Sequence, residues 1–528
     1  MEKLYRRKVP PDDIVSHELA RRLAWLSKEL NRQLAVLLTR KGKVACVIAG
    51  DKKHIHIPDT TGFRAGGGRL KGLRCIHTHL SGEDLSEEDL TDMALLALDL
   101  IACIKVDQAG LPGEICFAHI LPQAKDGENW AVTRVPDTGR LNINFLDFIQ
   151  GLEDELRRGA PGRSTLKAEK AILVAVCAGP RWREKARLDE LRNLAVSDEL
   201  EVVDSVIQTV KKIDSHFLIG KGKLSELALK CVQKGADLLV FDNDLTPAQV
   251  KSLTDFTELK IIDRTQLILD IFARRAVSRE GKIQVELAQL QYLLPRLAMK
   301  NTAMSRLTGG IGGRGPGETK LEINRRRVHQ RIARLSRELA DIARQRQERR
   351  RLRTAKNLPV ISIVGYTNAG KSTLLNSLTN SRVAVKNRLF ETLDPSSRRL
   401  RFPREREAII TDTVGFIRDL PPNLVDAFAS TLEELQEADL LLHVVDATST
   451  SIEEQKETVE SLLEQLDIHL LPRLLVVNKT DLLGEEEGTE LAKALGGIAA
   501  SAVDPSTLTP LVEEMKKLIW PHSASPAS

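Results

Sequence analysis

One eight-residue stretch constrains this chain more than any other. Gly365-Tyr366-Thr367-Asn368-Ala369-Gly370-Lys371-Ser372 follows the apolar run 360–364 and leads into a helical pattern over 372–378. In a G-x-x-x-x-G-K-S turn between a strand and a helix, the glycines let backbone N–H groups face phosphate oxygens at the helix N-terminus. Lys371 then reaches the β- and γ-phosphates, and the Ser372 hydroxyl ligates Mg²⁺. Thr373 continues the helix start. Such a turn belongs to an α/β domain with a parallel sheet and flanking helices. It implies a nucleotide but not which one.

The base is chosen further along. Asn478-Lys479-Thr480-Asp481 directly follows the apolar run 474–477. A carboxylate can accept both the N1–H and the exocyclic N2–H₂ of guanine, and adenine presents no such donor pair. Asp481 is therefore the expected base discriminator, with Asn478 and Lys479 bracing the loop and the ring face. Ser501-Ala502 is expected to offer backbone N–H to guanine O6.

Between these motifs, Asp412-Thr413-Val414-Gly415 follows the run 408–411. Asp412 is expected to hold Mg²⁺ through water, and the Gly415 N–H to sense the γ-phosphate. Phe390-Glu391-Thr392-Leu393-Asp394-Pro395 precedes it. Thr392 is the chosen switch residue, completing the Mg²⁺ shell when the γ-phosphate is present; Thr367, Thr373 and Thr411 compete for that role. Together the loops predict an order–disorder switch. Phe416 stands where many GTPases carry a water-orienting glutamine. Its ring cannot hydrogen-bond water, so slow intrinsic turnover, or turnover arranged differently, is expected.

Elsewhere the chain divides by pattern. Residues 1–165 mix strand-like runs (34–38, 44–48) with a helical pattern near 94–104 and end in a Gly/Pro/Arg-rich linker at 157–163. Residues 170–280 alternate strands (171–176, 200–203, 237–241, 260–262) with helices around 224–232 and 247–254. From 281 to 356 two heptad stripes appear: Ile283, Leu287, Leu290, Leu294 and Leu297, then Val328, Ile332, Leu335, Leu339 and Ile342. They predict an antiparallel helical hairpin with a kink or break at Pro295. The connecting loop carries six glycines in 309–317 and is expected to be mobile unless a partner orders it. Residues 357–521 hold the P-loop domain, with strands at 360–364, 408–411, 440–445 and 474–477, and 522–528 read as a disordered tail. The fold class is thus multidomain α/β: the P-loop domain preceded by a small α/β domain and a hairpin, plus an N-terminal α+β extension.

Charge is placed as unevenly as pattern. The net charge is +5, but residues 325–356 carry twelve arginines and one lysine against Glu338, Asp341 and Glu348. That segment sums to +10, and the other 496 residues to −5. A polyanionic partner is implied, the alternative being a solvated helix face. Aromatics make up only 4% of the chain, which argues against base stacking along its length. Six scattered cysteines without a C-x-x-C pair predict no disulfide framework and a reducing compartment. No apolar run reaches membrane-spanning length, and a cytoplasmic location is expected.

Phe217-Leu218-Ile219-Gly220-Lys221-Gly222-Lys223, the Gly-rich segment Ser305–Lys320 and the motifs at 390–395 and 412–416 occur in the order typical of one family. Over roughly 170–521 the chain resembles the HflX GTPases. The resemblance implies GTP hydrolysis to GDP with Mg²⁺, and binding of the large (50S) ribosomal subunit with the hairpin directed at the RNA of its catalytic centre. It further implies splitting or rescue of stalled or idle ribosomes, or a part in ribosome biogenesis; a monomer is expected. The alternative is GTP-timed recruitment of a non-ribosomal partner through the N-terminal domains. Residues 1–165 lie outside that resemblance. There Ile76-His77-Thr78-His79-Leu80 and Ser86-Glu87-Glu88-Asp89 are similar to the H-x-H…S-x-x-D pattern of JAMM-type zinc peptidases, making His77, His79 and Asp89 candidate zinc ligands. The His-to-Ser spacing is one residue short, and Glu29 is the only near candidate for the general base. A related fold without peptidase activity is therefore expected.

Overall fold

A computed structural model describes residues 2–58, 70–125, 128–158, 168–178, 181–213, 216–257, 259–300, 320–354, 358–379, 389–390, 396–402, 406–413, 415–421, 424 and 433–520. The glycine-rich loop, the tail after 520, Glu391–Pro395 and Val414 lie outside them. The chain forms two compact units: Met1–Arg192 with Glu199–Asp263, and Asn193–Asp198 with Arg264–Ser528.

The first unit contains two sheets. One is six-stranded, in the order β2-β1-β3-β4-β5-β6. Its strands are β1 (Leu34–Thr39), β2 (Val44–Ala49), β3 (Leu73–His79), β4 (Leu100–Val106), β5 (Pro112–Lys125) and β6 (Glu128–Val135). All pairings are antiparallel except β3 with β4. The helical pattern expected near 94–104 is corrected here. The helix Glu87–Leu95 ends as Ala97 takes a left-handed φ of 49°, and 100–106 is a buried strand. A strand covered on both faces is apolar throughout, and over so short a run that cannot be told from a buried helix. The expected linker also starts later, since Arg157 and Arg158 close the helix Phe145–Arg158.

The second sheet is four-stranded and parallel, in the order β10-β9-β7-β8. It comprises β7 (Lys170–Cys177), β8 (Glu201–Thr209), β9 (Leu238–Phe241) and β10 (Lys260–Asp263). The helix Lys221–Lys234 is shared between the two layers. Leu229 and Val232 join the core under the first sheet, and Leu224, Leu227, Ala228 and Cys231 the core under the second. Leu95, at the end of the helix Glu87–Leu95, also lies in the second core.

The second unit begins with the helix Arg264–Arg275, followed by Arg279–Lys300 and Lys320–Thr354. The last two pack as a hairpin along the heptad stripes, with Ile283, Leu287 and Leu335 buried and Leu290, Ile332, Leu339 and Ile342 beside them. Of the kink or break expected at Pro295, the break does not occur, since the helix runs through it. The P-loop sheet has the order β12-β13-β11-β14-β15-β16. Its strands are β11 (Val360–Gly365), β12 (Ser396–Phe402), β13 (Arg406–Asp412), β14 (Leu440–Asp446), β15 (Arg473–Asn478) and β16 (Ile498–Ala499). β12 is the one antiparallel member among these strands. Three arginines and two serines leave that edge strand without an apolar run.

Candidate functional site

The site lies at the carboxyl ends of β11, β13, β14 and β15, the crevice where open parallel sheets bind ligands. β11 runs into the P-loop, and the helix Lys371–Thr379 leaves it. Gly370 has φ 91°, and a Cβ there would stand 2.2 Å from Asn478 Nδ2. Glycine is required both for the turn and for that approach. Asn368, exposed at the tip, also takes a left-handed φ of 63°.

Lys371 is buried and donates to the carbonyls of Gly365 (3.1 Å) and Tyr366 (2.7 Å). Burial pushes its ammonium down to about 8, partly offset by Asp412. Ser372 Oγ donates to Asp412 Oδ2 at 2.6 Å. A hydroxyl and a carboxylate thus converge one residue after the phosphate-seeking lysine, a hard-oxygen pair of the kind Mg²⁺ takes. The donor chemistry fits that ion.

The segment after β13 is tied to the P-loop through the backbone. Phe416 N–H donates to Gly365 O (3.1 Å), and Thr367 N–H to Phe416 O (2.7 Å). Thr413 Oγ1 donates to Ile363 O at 2.7 Å. Gly415 is pressed against the lysine: a Cβ there would meet Lys371 Nζ and Thr367 Cγ2, each at 2.9 Å. Phe416 is fully buried. Its ring packs in the interior, so this position acts through the backbone and not on a water. Thr411, a competitor for the switch role, is in β13 against Ser397 Oγ at 3.2 Å. Thr392, Glu391, Leu393 and Asp394 fall outside the described residues.

The guanine-reading motifs are joined by Asn478. Its Nδ2 donates to Ala369 O (2.8 Å) and its Oδ1 accepts from Ala502 N–H (2.9 Å), linking three loops from one side chain. Lys479, at φ 66°, donates to Asp446 Oδ2 at 2.6 Å. That ion pair anchors its head, leaving the methylene stem as an apolar surface. Thr480 Oγ1 donates to Ala500 O at 3.0 Å. Ser501 Oγ donates to Asp481 Oδ1 at 2.6 Å, orienting the carboxylate. Without nucleotide, both backbone N–H groups expected to reach guanine O6 have partners within the chain. Ser501 N–H goes to Thr507 Oγ1 (2.9 Å) and Ala502 N–H to Asn478 Oδ1. Asp446 and Thr507 were missed from sequence; each sits outside a motif and becomes legible only once the loops are folded together.

Two further contacts escaped sequence reasoning. Phe390, buried and at φ 56°, meets Phe272 edge to face at 4.6 Å between centroids. Leu389 N–H donates to Ser197 Oγ (3.1 Å), and Arg264 Nη2 donates to Arg418 O (3.2 Å). The segments flanking the two switch motifs therefore both touch the helix Arg264–Arg275. Along Lys320–Thr354, Arg331 makes a bidentate pair with Glu286 (both 2.7 Å), and Arg334 and Arg344 pair with Glu338 and Asp341. Arg325, Arg326, Arg327 and Arg337 are exposed. In the first unit, His77, His79 and Asp89 are brought together as a buried cluster, whereas Glu29 is exposed.

Three family profiles match the chain: "GTP-binding GTPase N-terminal" over 185–273, "GTP-binding GTPase Middle Region" over 275–353 and "50S ribosome-binding GTPase" over 360–479. The chain is 51% identical over 315 residues to the GTPase HflX of Caldanaerobacter subterraneus, covering 60% of this chain and 73% of the relative. It is 44% identical over 319 residues to that of Escherichia coli, covering 60% and 75%. A crystal structure of a GTP-binding protein from Sulfolobus solfataricus with GDP aligns at 27% identity and a TM-score of 0.36, over 67% of this chain and all of that one. No helix among the described residues is long and apolar enough to cross a membrane.

Proposed function

The chain belongs to the HflX family of GTPases, and from that premise we propose that it binds the large ribosomal subunit, uses its nucleotide state to gate that binding, and splits or rescues stalled or idle ribosomes. The carrying observation is the set of exposed arginines Arg325, Arg326, Arg327 and Arg337 on the second helix of a hairpin that directly precedes the P-loop domain in the chain. Neutralising several phosphates there gives strong, salt-dependent affinity for RNA without base readout. The profile matched over 360–479 bears the description of a 50S ribosome-binding GTPase, which supports the same reading.

Within the site, the backbone of 365–370 and Lys371 hold the β- and γ-phosphates. Ser372 and Thr392 would hold Mg²⁺, with Asp412 reaching it through water. When bound, that ion neutralises charge on the phosphate oxygens. The Gly415 N–H is placed in this reading as the sensor of the γ-phosphate, and its approach to Lys371 leaves no room for a side chain. Asp481, held by Ser501, reads the guanine edge; Asn478 locks the P-loop to the Ser501-Ala502 loop, and the stem of Lys479 covers the ring. With Phe416 buried, no side chain at that position orients the attacking water, and acceleration falls to the subunit.

Sedimentation with separated ribosomal subunits, in a non-hydrolysable GTP analogue and across a salt series, tests the proposal. Co-migration with the large subunit that weakens as salt rises is expected. Absence of co-migration at every salt overturns it and favours recruitment of another partner through the first unit.

A further inference from the structure

The chemistry so far uses nothing from the first sheet, yet its most unusual feature is polar and buried. His77 and His79 alternate on β3 and so share one face of the sheet. Both are buried, as is Asp89, the third residue of the helix Glu87–Leu95. Their ligand atoms lie within 4.8 Å of one another. His77 Nε2 stands 2.9 Å from His79 Nε2; Asp89 Oδ1 is 3.4 Å from the former and Asp89 Oδ2 3.6 Å from the latter. Tetrahedral zinc with bonds of about 2.0–2.1 Å spaces its donor atoms about 3.3 Å apart. The three separations bracket that edge length.

The surroundings set the tautomer. His79 Nδ1 lies 3.0 Å from Glu83 O, which can only accept, so Nδ1 carries the proton and Nε2 presents its lone pair to the cluster. Asp89 Oδ2 in turn accepts from Ser86 N–H (2.8 Å) and Ser86 Oγ (2.7 Å). An imidazole held through its far nitrogen and a carboxylate held by outer donors are the supports metal ligands characteristically have. A capping box alone accounts for Ser86 and Asp89, but not for two imidazole nitrogens converging on the same point.

We infer that His77, His79 and Asp89 bind one divalent transition-metal ion of zinc-like chemistry, and that this ion pins the helix Glu87–Leu95 to β3. Two imidazoles and a carboxylate favour such an ion over Mg²⁺ or Ca²⁺. The pinned helix packs against Lys221–Lys234, the helix shared by both layers of the first unit, and its Leu95 lies in the core of the second layer. The ion therefore stabilises the seam between the N-terminal extension and the family's α/β layer. Its role is architectural. Ala35 pairs with His77, so strand alternation brings buried Gln33 to the level of His79, and an amide there cannot take a proton from bound water.

The test uses the full-length protein without a polyhistidine tag, loaded with Zn²⁺ and dialysed, its metal content measured by mass spectrometry. About one equivalent of zinc is expected. Chelation should lower Tm and speed amide exchange in 87–95 and 221–234, and Zn²⁺ but not Mg²⁺ should reverse both. Asp89→Asn keeps a side chain able to cap the helix, and is expected to weaken zinc binding at least tenfold while basal GTP hydrolysis is unchanged. His79→Ala is expected to abolish zinc binding. Zinc-loaded protein that retains no metal, or Asp89→Asn with wild-type zinc affinity, overturns the site. Bound zinc whose removal leaves exchange at the seam unaltered overturns the pinning role.

Discussion

Replacing Asp481 by Asn isolates base recognition from folding. In the structure Asp481 Oδ1 accepts the Ser501 hydroxyl at 2.6 Å, and an amide oxygen can accept the same bond. The loop therefore keeps its support, and stability should change by less than about 1 kcal/mol. Toward guanine the change is larger. A carboxylate accepts two hydrogen bonds from the base edge, each worth about 1.5–3 kcal/mol because the acceptor is charged. The amide turns one of those acceptors into a donor facing a donor. Loss of that one contact corresponds to about 1.5–3 kcal/mol, or at least about 10–10²-fold in GTP affinity at 1.4 kcal/mol per tenfold, before the donor–donor repulsion is added. Xanthine carries a carbonyl in place of the amino group, so the same variant should gain affinity for xanthosine triphosphate. Titration calorimetry with both nucleotides, beside a thermal melt, measures all three quantities. Retained GTP affinity with an unaltered melt would refute the assignment of Asp481.

Other consequences can be measured as directly. Burial pulls Lys371 to about 8, below its ordinary value of about 10.4, so between those pH values the unfolded chain binds more protons and stability rises with pH. Below pH 8 the penalty is fully present. The stability gap between wild type and Lys371→Met in nucleotide-free protein should shift in favour of the wild type by about 3 kcal/mol from pH 8 to 10.4; a flat gap in denaturant titrations contradicts the burial argument. Phe272→Ala removes a fully buried ring and should cost about 3–5 kcal/mol; because the ring faces Phe390, single-turnover GTP hydrolysis should fall as well, and a loss of stability alone would disconnect the two. Changing Arg325, Arg326 and Arg327 together to Ala should lower the slope of log affinity against log salt for ribosomal RNA by about 2–3, with basal hydrolysis unchanged. Gly415→Ala places a methyl 2.9 Å from Lys371 Nζ and Thr367 Cγ2; GTP analogue binding should weaken more than GDP binding in a fluorescent-nucleotide displacement assay.

The P-loop layer was legible because its strands are short apolar runs followed at once by residues whose chemistry has few alternative uses. The hairpin was legible because its stripes persist over several turns. Three features resisted for distinct reasons. β4 is buried on both faces, so its pattern carried no period with which to separate it from the helix Glu87–Leu95 just before it. β12 is an arginine-rich edge strand, apolar only at Leu400 and Phe402. The helix runs through Pro295 although that residue lies beyond the packed stripe, which ends at Leu290. Within the site, residue types singled out side chains that the fold brings together, but not how each is held. Ser501 was assigned through its backbone, yet its hydroxyl makes the contact. Phe272 and Arg264 lie more than a hundred residues from the motifs they touch, a separation over which a single sequence carries no pairing signal.

The helix Arg264–Arg275 is held by Phe272 against Phe390 and by Arg264 against Arg418, and three residues later the chain enters Arg279–Lys300. That helix has 22 residues, and at 1.5 Å per residue it is about 33 Å long. A rigid rod of that length works as a pointer: a tilt of about 10° at its base sweeps Lys300 through about 6 Å, more than the pitch of one helical turn. If a change at the nucleotide site tilts its base, the helix would carry that change to its far end, with a throw set by the number of residues in the hairpin. Shortening both helices by matched heptads would leave nucleotide chemistry intact while reducing the throw in proportion.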